Sequence, residues 1–203
     1  MKILNLYAGI GGNRKLWGDE HEITAVENVP EIAEAYHKLF PDDTVIVADA
    51  HQYLLDHHKE FDFIWTSPPC PTHSKLNYAL NAQGYIRYPD MTLYQEIIFL
   101  KHFYKGKYLI ENVVSYYDPL IMPSTTFDRH YYWANFYIPT MKTGRTFDVS
   151  RAEHQELSDG LDIDVSFMPR KWRRKVLRNA VHPKMGLHIL EAAQKHVKQE
   201  ILL

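Results

Sequence analysis

The sequence predicts an α/β domain built on a mostly parallel sheet. Two observations carry this. Five short apolar runs between Lys2 and Val113 alternate with segments of helical character, the pattern of β-α units feeding one sheet. Chemically distinctive residues fall where those runs end: a glycine turn after the first, then Glu27, Asp49, Cys70 and Glu111 after the next four. In open parallel sheets, ligands bind at the carboxyl ends of the strands.

Lys2 to Tyr7 reads as a buried strand, followed by the turn Ala8-Gly9-Ile10-Gly11-Gly12 and a helix from about Asn13 to Trp17. His21 to Val26 is the second strand. Pro30 to Phe40 is helical, with Ile32, Ala33, Ala35, Tyr36 and Leu39 at helical spacing and Pro30 in the first turn. Thr44 to Ala48 is the third strand and His51 to His58 the next helix. Phe61 to Thr66 is a fourth strand, stopped at Ser67-Pro68-Pro69-Cys70 because proline cannot extend a central strand. Residues 71–90 are polar and read as a long loop, a length usually tied to function. Met91 to Tyr104 is amphipathic, through Leu93, Tyr94, Ile97, Ile98 and Phe103. Lys107 to Ile110 is a fifth strand leading into Glu111-Asn112-Val113, and Arg129 to Ile138 reads as a later one. Residues 150–164 are polar and acidic, residues 170–175 basic, and Leu187 to Leu203 a terminal helix.

At 203 residues, 45% hydrophobic and 24% charged, the chain is expected to form one domain with a real core. A net charge of −2 excludes a uniformly basic protein. The charge is nevertheless segregated. Residues 165–203 carry 9 Lys and Arg against 2 Asp and Glu, whereas residues 1–164 carry 14 against 23. A basic end on an acidic body points to a polyanion contact there. One cysteine, Cys70, allows no internal disulfide and fits a reducing cytoplasm. The N-terminal apolar run is too short for a signal peptide, and no run is long enough for a membrane span. The expectation is a cytoplasmic protein without a membrane partner.

Glycines after a strand let the backbone approach a ligand and aim N–H groups at it. Glu27, at the end of the next strand, is placed to accept ribose hydroxyls, so the pair suits a nucleoside-bearing cofactor. Asp49 could accept from an adenine amino group or simply cap the following helix. Cys70 follows two prolines and precedes a polar loop, a setting for a nucleophile rather than a core thiol. His73, Ser74 and Lys75 could support its thiolate. Glu111, at a strand end, could be a general acid. The run Arg170, Lys171, Arg173, Arg174, Lys175 and Arg178, with Trp172 inside it, suits a phosphate backbone. The twelve histidines form no metal motif, and no metal is expected.

These residues together resemble the DNA cytosine-5 methyltransferase family. Leu6-Tyr7-Ala8-Gly9-Ile10-Gly11-Gly12 resembles its cofactor motif, with Tyr7 where phenylalanine is usual. Glu27-Asn28 and Asp49-Ala50 match its next two cofactor positions. Pro69-Cys70-Pro71-Thr72-His73-Ser74 resembles its nucleophile motif, with Pro71 in place of glutamine. Glu111-Asn112-Val113 is its Glu-Asn-Val unchanged. Phe127 to Tyr131 resembles its Gln-x-Arg-x-Arg motif with Arg129 the one arginine kept. Residues 178–183 resemble its late Gly-Asn-Ala/Ser-Val motif, with Arg178 replacing the glycine. Residues 139–178 stand where the family places a much larger target-recognition region, and residues 179–203 return to the catalytic core.

The resemblance implies a Rossmann-like methyltransferase fold and S-adenosylmethionine as cofactor. Tyr7, Gly9, Ile10, Gly11, Gly12, Glu27, Asn28, Asp49, Ala50, Pro69, Asn179 and Val181 would hold the cofactor. Cys70 would attack carbon 6 of a flipped-out cytosine, Glu111 would act at N3, and Arg129 would hold the base at O2. Ser74 and the basic run from Arg170 to Arg178 would contact DNA. Duplex DNA is the favoured partner. The small recognition region keeps RNA, single strands, a homodimer and a separate recognition subunit open, as does a module that binds the cofactor without catalysis. Methylation of an exocyclic amine is a weaker reading of Ser67-Pro68-Pro69, since Glu-Asn-Val has no role in that chemistry.

Overall fold

The computed structural model describes residues 1–143 and 152–200. Seven strands form one sheet: β1 (Lys2–Leu6), β2 (Glu22–Val26), β3 (Thr44–Ile46), β4 (Phe63–Thr66), β5 (Lys107–Val113), β6 (Thr125–Phe127) and β7 (His130–Ala134). Their order is β3-β2-β1-β4-β5-β7-β6. The first five are parallel, and β7 and β6 add an antiparallel edge beside β5. The helices are α1 (Pro30–Leu39), α2 (Ala50–His57), α3 (Asn77–Ala82), α4 (Thr92–Phe103), α5 (His154–Leu161), α6 (Arg170–Asn179) and α7 (Pro183–Glu200).

The two faces of the sheet follow from strand alternation. Ile3, Ile23, Phe63, Trp65 and Leu109 face one way and pack on Met185, Ile189, Leu190 and Ala193 of α7. Leu4, Leu6, Val26, Ile64 and Ile110 face the other way, onto Leu54 of α2 and Leu93, Ile97 and Leu100 of α4. These strands are apolar on both faces because parallel sheets are covered on both sides.

The structure differs from the sequence reading in four places. The glycine turn leads into a single 3-10 turn, Arg14–Leu16, rather than a helix. The chain there is tied down from outside: α7 packs on it so closely that a Cβ on Gly186 would sit 2.0 Å from the Asn13 carbonyl oxygen. Second, residues 71–90 include α3, a short helix of low apolar periodicity. Third, α5 forms in the acidic stretch by burying only Leu157 and Leu161. Fourth, the expected strand from Arg129 to Ile138 is β7, shortened to His130–Ala134 and paired in a hairpin with β6. Residues 150, 151 and 201–203, within the expected acidic stretch and terminal helix, lie outside the described residues.

Two buried polar clusters fix the frame. Arg14 donates to both oxygens of Asp43, at 2.9 and 3.1 Å, and Tyr36 donates to Asp43 at 2.8 Å. The Arg14 and Asp43 side chains are only 7% and 3% exposed. They join the glycine turn to the loop before β3. On the other face, the wholly buried Glu96 of α4 accepts from Tyr7 at 2.6 Å and Thr66 at 2.7 Å, with His51 at 3.2 Å. This ties the ends of β1 and β4 to α2 and α4.

Asp43→Ala would strand a buried guanidinium. It is expected to cost about 3–5 kcal/mol, read as a lower urea midpoint at unchanged slope. The hydrogen bond from His51 to Glu96 holds the imidazole above its ordinary pKa of 6.5, against an opposing effect of burial. Protonated His51 therefore stabilises the fold fully below pH 6.5, and that contribution is lost as pH rises through the raised value. The stability gap between wild type and His51→Gln should be widest in mild acid and shrink in alkali. A gap independent of pH in urea titrations would count against this.

Candidate active site

The carboxyl ends of β1, β2, β4 and β5 open into one cavity of about 450 Å3, also lined by α6 and residues 178–182. One end is built by the glycine turn. Asn5 and Asn13 exchange side-chain hydrogen bonds at 3.3 and 2.8 Å across the turn and fix its two feet. Gly9 takes φ +56°, with open space where a Cβ would stand. Its N–H donates to Glu27 Oε2 at 3.1 Å, and Val29 N–H donates to Oε1 at 3.0 Å. Both carboxyl oxygens are thereby aimed, and each keeps a lone pair for a ribose hydroxyl. Gly12 is needed because a Cβ there would meet the Val181 carbonyl oxygen at 2.3 Å. That contact seats the Asn179–Val181 segment against the turn.

Of the expected cofactor residues, Tyr7, Gly9, Ile10, Gly12, Glu27, Asn28, Pro69, Asn179 and Val181 line the cavity. Gly11 does not: at φ +73° it packs under the rings of Tyr36 and Phe40. Asp49 is exposed and caps α2, accepting from Gln52 N–H at 2.8 Å, and neither it nor Ala50 lines the cavity. Tyr7 holds a left-handed backbone, φ 55°, anchored by its hydroxyl on Glu96.

The other end of the cavity holds Cys70 and Glu111. β4 and β5 run in parallel register, Thr66 beside Ile110, so the loop leaving β4 passes the side of Glu111. Asn112 makes this arrangement firm by donating to the Pro68 carbonyl oxygen at 2.9 Å. Trp65 Nε1 donates to Ser67 Oγ at 2.9 Å, and Ser67 Oγ in turn donates to Glu111 Oε2 at 3.1 Å. The Cys70 carbonyl accepts from the N–H groups of His73 and Ser74, both at 3.0 Å.

The expected support for a Cys70 thiolate is absent. Burial, and then the Glu111 carboxyl, push the thiol pKa up. His73 is buried with Nδ1 2.6 Å from the Tyr117 hydroxyl, and burial pushes its pKa down, so it offers no positive charge. Lys75 is exposed.

Arg129 is exposed, takes φ 67° in the β6–β7 turn, and does not line the cavity. Its neighbour His130 does, with Nε2 3.4 Å from Glu111 Oε1. Asp128 and Tyr132 also line this wall.

The basic run divides. Lys175 and Arg178 line the cavity. Arg170 and Lys171 are exposed on α6. Arg173 donates to the carbonyls of Met168 and Ser166, and Arg174 to that of Ala152. These bonds tie α6 to the segments before and after α5. Lys171 and Lys175 stand 5.5 and 4.7 Å from the centre of the Trp172 ring. Ser74 is half-buried outside the cavity wall and pairs with Ser115. Among the described residues no group of three or more His, Cys, Asp or Glu is placed to hold a metal, and no helix is long and apolar enough to cross a membrane.

Comparison with known proteins adds the family. No curated protein matches the chain. Among solved structures, the Entamoeba histolytica methyltransferase EhMeth superposes with a TM-score of 0.60 at 9% identity, covering 97% of this chain and 98% of that one. A Spodoptera frugiperda DNMT2 variant is 28% identical over 55% of this chain and 35% of its own, with a TM-score of 0.41. The first of these likenesses is one of fold. Residues 1–118, which carry the glycine turn, Glu27, Cys70 and Glu111, match the family model for C-5 cytosine-specific DNA methylases. The chain, a methyltransferase by fold, belongs to the C-5 cytosine-specific DNA methylase family.

Proposed function

We propose that the chain transfers a methyl group from S-adenosylmethionine to carbon 5 of a flipped-out cytosine in DNA, through a covalent Cys70 adduct at carbon 6. The observation that carries this is one cavity with the glycine turn and Glu27 at one end and Cys70 and Glu111 at the other. A methyl donor and an acceptor base in that cavity would meet between the two ends.

Carbon 5 of cytosine is a weak nucleophile until a group adds at carbon 6. The Cys70 sulfur is the group to do so. Addition pushes electrons toward N3, where Glu111 gives a proton. Ser67 and Trp65 hold Glu111 in place, and Asn112 holds the Cys70 loop. Gly9, Ile10, Gly12, Asn28 and Val181 would hold the donor, with Glu27 on its ribose. Bound S-adenosylmethionine supplies an electrophilic methyl carbon. The target atoms are inside a duplex, so the base must leave the stack. Exposed Arg170 and Lys171 suit a phosphate backbone beside the cavity mouth.

A second reading changes the substrate to RNA or an unpaired strand. It rests on Tyr78, Tyr85 and Tyr88, which are 60%, 68% and 80% exposed in the segment after Cys70. Exposed rings offer stacking faces for unpaired bases.

Labelled methyl transfer by the purified chain to duplex DNA, single-stranded DNA and RNA separates the two. We expect 5-methylcytosine from duplex DNA with the highest kcat/KM, and none from Cys70→Ser, whose donor binding should be unchanged. Turnover by Cys70→Ser would remove the covalent route, and a preference for RNA would move the substrate. Asn112→Ala should lower kcat about 100-fold at little change in donor affinity, because it frees the Cys70 loop from β5. An unchanged kcat would show that the clamp is not needed.

A further inference from the structure

The Glu111 carboxyl is met on its two oxygens by different partners. Oε2 accepts from Ser67, whose own oxygen already accepts from Trp65. Oε1 faces His130 Nε2 at 3.4 Å. The state of that imidazole is set on its far side, where Nδ1 lies 2.9 Å from the Asp128 carbonyl oxygen. A carbonyl can only accept, so Nδ1 carries hydrogen and a neutral ring presents the bare Nε2 to Glu111. Two lone pairs would then oppose each other unless a proton sits between them.

The backbone is arranged to make this happen. Asp128 and Arg129 both take left-handed conformations, φ 47° and 67°, in the two-residue turn between Phe127 and His130. Neither is glycine, and Arg129 is a poor residue for that region, so the turn holds strain. Its effect is to bring the Asp128 carbonyl under the His130 ring and aim the ring at Glu111. Tyr132, opposite Glu111 in the strand register and stacked on Phe127 at 4.4 Å, supports the same wall.

We infer that His130 is the proton partner of Glu111: the pair holds one proton between Oε1 and Nε2 and delivers it to N3 of the substrate cytosine as the Cys70 sulfur adds at carbon 6. This rests on the proposed cytosine-5 reaction and deepens it. His130 acts through Glu111 and is a positioning residue for that group. The balance is closed. The thiol proton goes to water, the new S–C bond forms at carbon 6, the carbon 5–carbon 6 pair shifts toward N3, and N3 takes the shared proton. When carbon 5 is substituted, N3 becomes electron-poor and returns the proton to the pair. Water then takes the carbon 5 hydrogen and Cys70 leaves.

Addition alone makes carbon 5 basic, so the enzyme should exchange the carbon 5 hydrogen of cytosine with water when no methyl donor is present. Release of tritium from a duplex DNA labelled at carbon 5 reads this step. Wild type should exchange, and Cys70→Ser should not. We expect His130→Ala to lower the exchange kcat about 100-fold at unchanged KM, with imidazole in the buffer restoring part of it. His130→Gln, which can position the carboxyl but hold no proton, should stay low and melt as wild type does. Wild-type exchange by His130→Gln, or an alanine variant whose loss lies in KM, would overturn the role of His130 alone. No exchange by wild type on duplex DNA, single-stranded DNA or RNA would overturn the underlying reaction and the inference with it.

Discussion

The parallel pairing of β4 with β5 is the constraint on which the site depends. It sets Thr66 beside Ile110, so the two chain segments that leave the sheet there start side by side. One carries Cys70 and the other Glu111. Prolines at 68 and 69 end β4 at once, and Asn112 closes the gap by donating to the Pro68 carbonyl. A one-residue shift in this register would turn Glu111 to the opposite face, onto Leu93 and Ile97 of α4. Cys70 and Glu111 are thus joined through the backbone ladder.

The same economy governs the cofactor end. The expected helix after the glycine turn is reduced to one 3-10 turn, and α7 covers the sheet beside it. Gly12 and Gly186 permit the approach, since a Cβ on either would strike backbone. The segment before α7 then runs over the glycine turn and supplies Asn179 and Val181 to the cavity. The late part of the chain is tied in further by α5 and α6, whose Leu157, Leu161, Val176 and Leu177 share an apolar cluster with Ile10 and Ile32. Helices α5 and α6 are therefore packed beside the glycine turn and α1. Arg173 and Arg174 take part in that packing, which leaves Arg170, Lys171, Lys175 and Arg178 as the basic groups facing solvent or the cavity.

Much of this was legible in the sequence because strand ends are legible. Apolar runs stop where glycine, proline or a polar residue makes continuation costly, and at four of the five positions so marked the residues, Gly9, Glu27, Cys70 and Glu111, line one cavity. Asp49 shows the limit. A carboxylate after a strand can serve a ligand or cap the next helix, and only the direction of the side chain separates the two. It caps α2. The 3-10 turn was illegible for a different reason. Gly18, at φ +77°, closes the segment, and α7 packs on Asn13 through Gly186, more than 160 residues away in the chain. Arg129 and His130 were exchanged because a turn of two left-handed residues resets which side chain faces the sheet, and composition at Asp128 and Arg129 gives no sign of it.

That exchange alters the chemistry as well as the geometry. A guanidinium beside Glu111 would be a permanent positive charge that keeps the carboxyl ionised and makes it an acceptor. An imidazole with one nitrogen fixed to a carbonyl is a group that gains and loses a proton at the other. The Cys70 thiol, raised by burial and by Glu111, would be harder still to ionise beside an uncompensated carboxylate. A proton held between Oε1 and His130 removes that charge, so the same contact that readies the acid also lessens the repulsion against the forming thiolate. The strained turn at Asp128 and Arg129 is then best understood as the cost of placing an imidazole nitrogen, rather than a guanidinium, against the acid of the site.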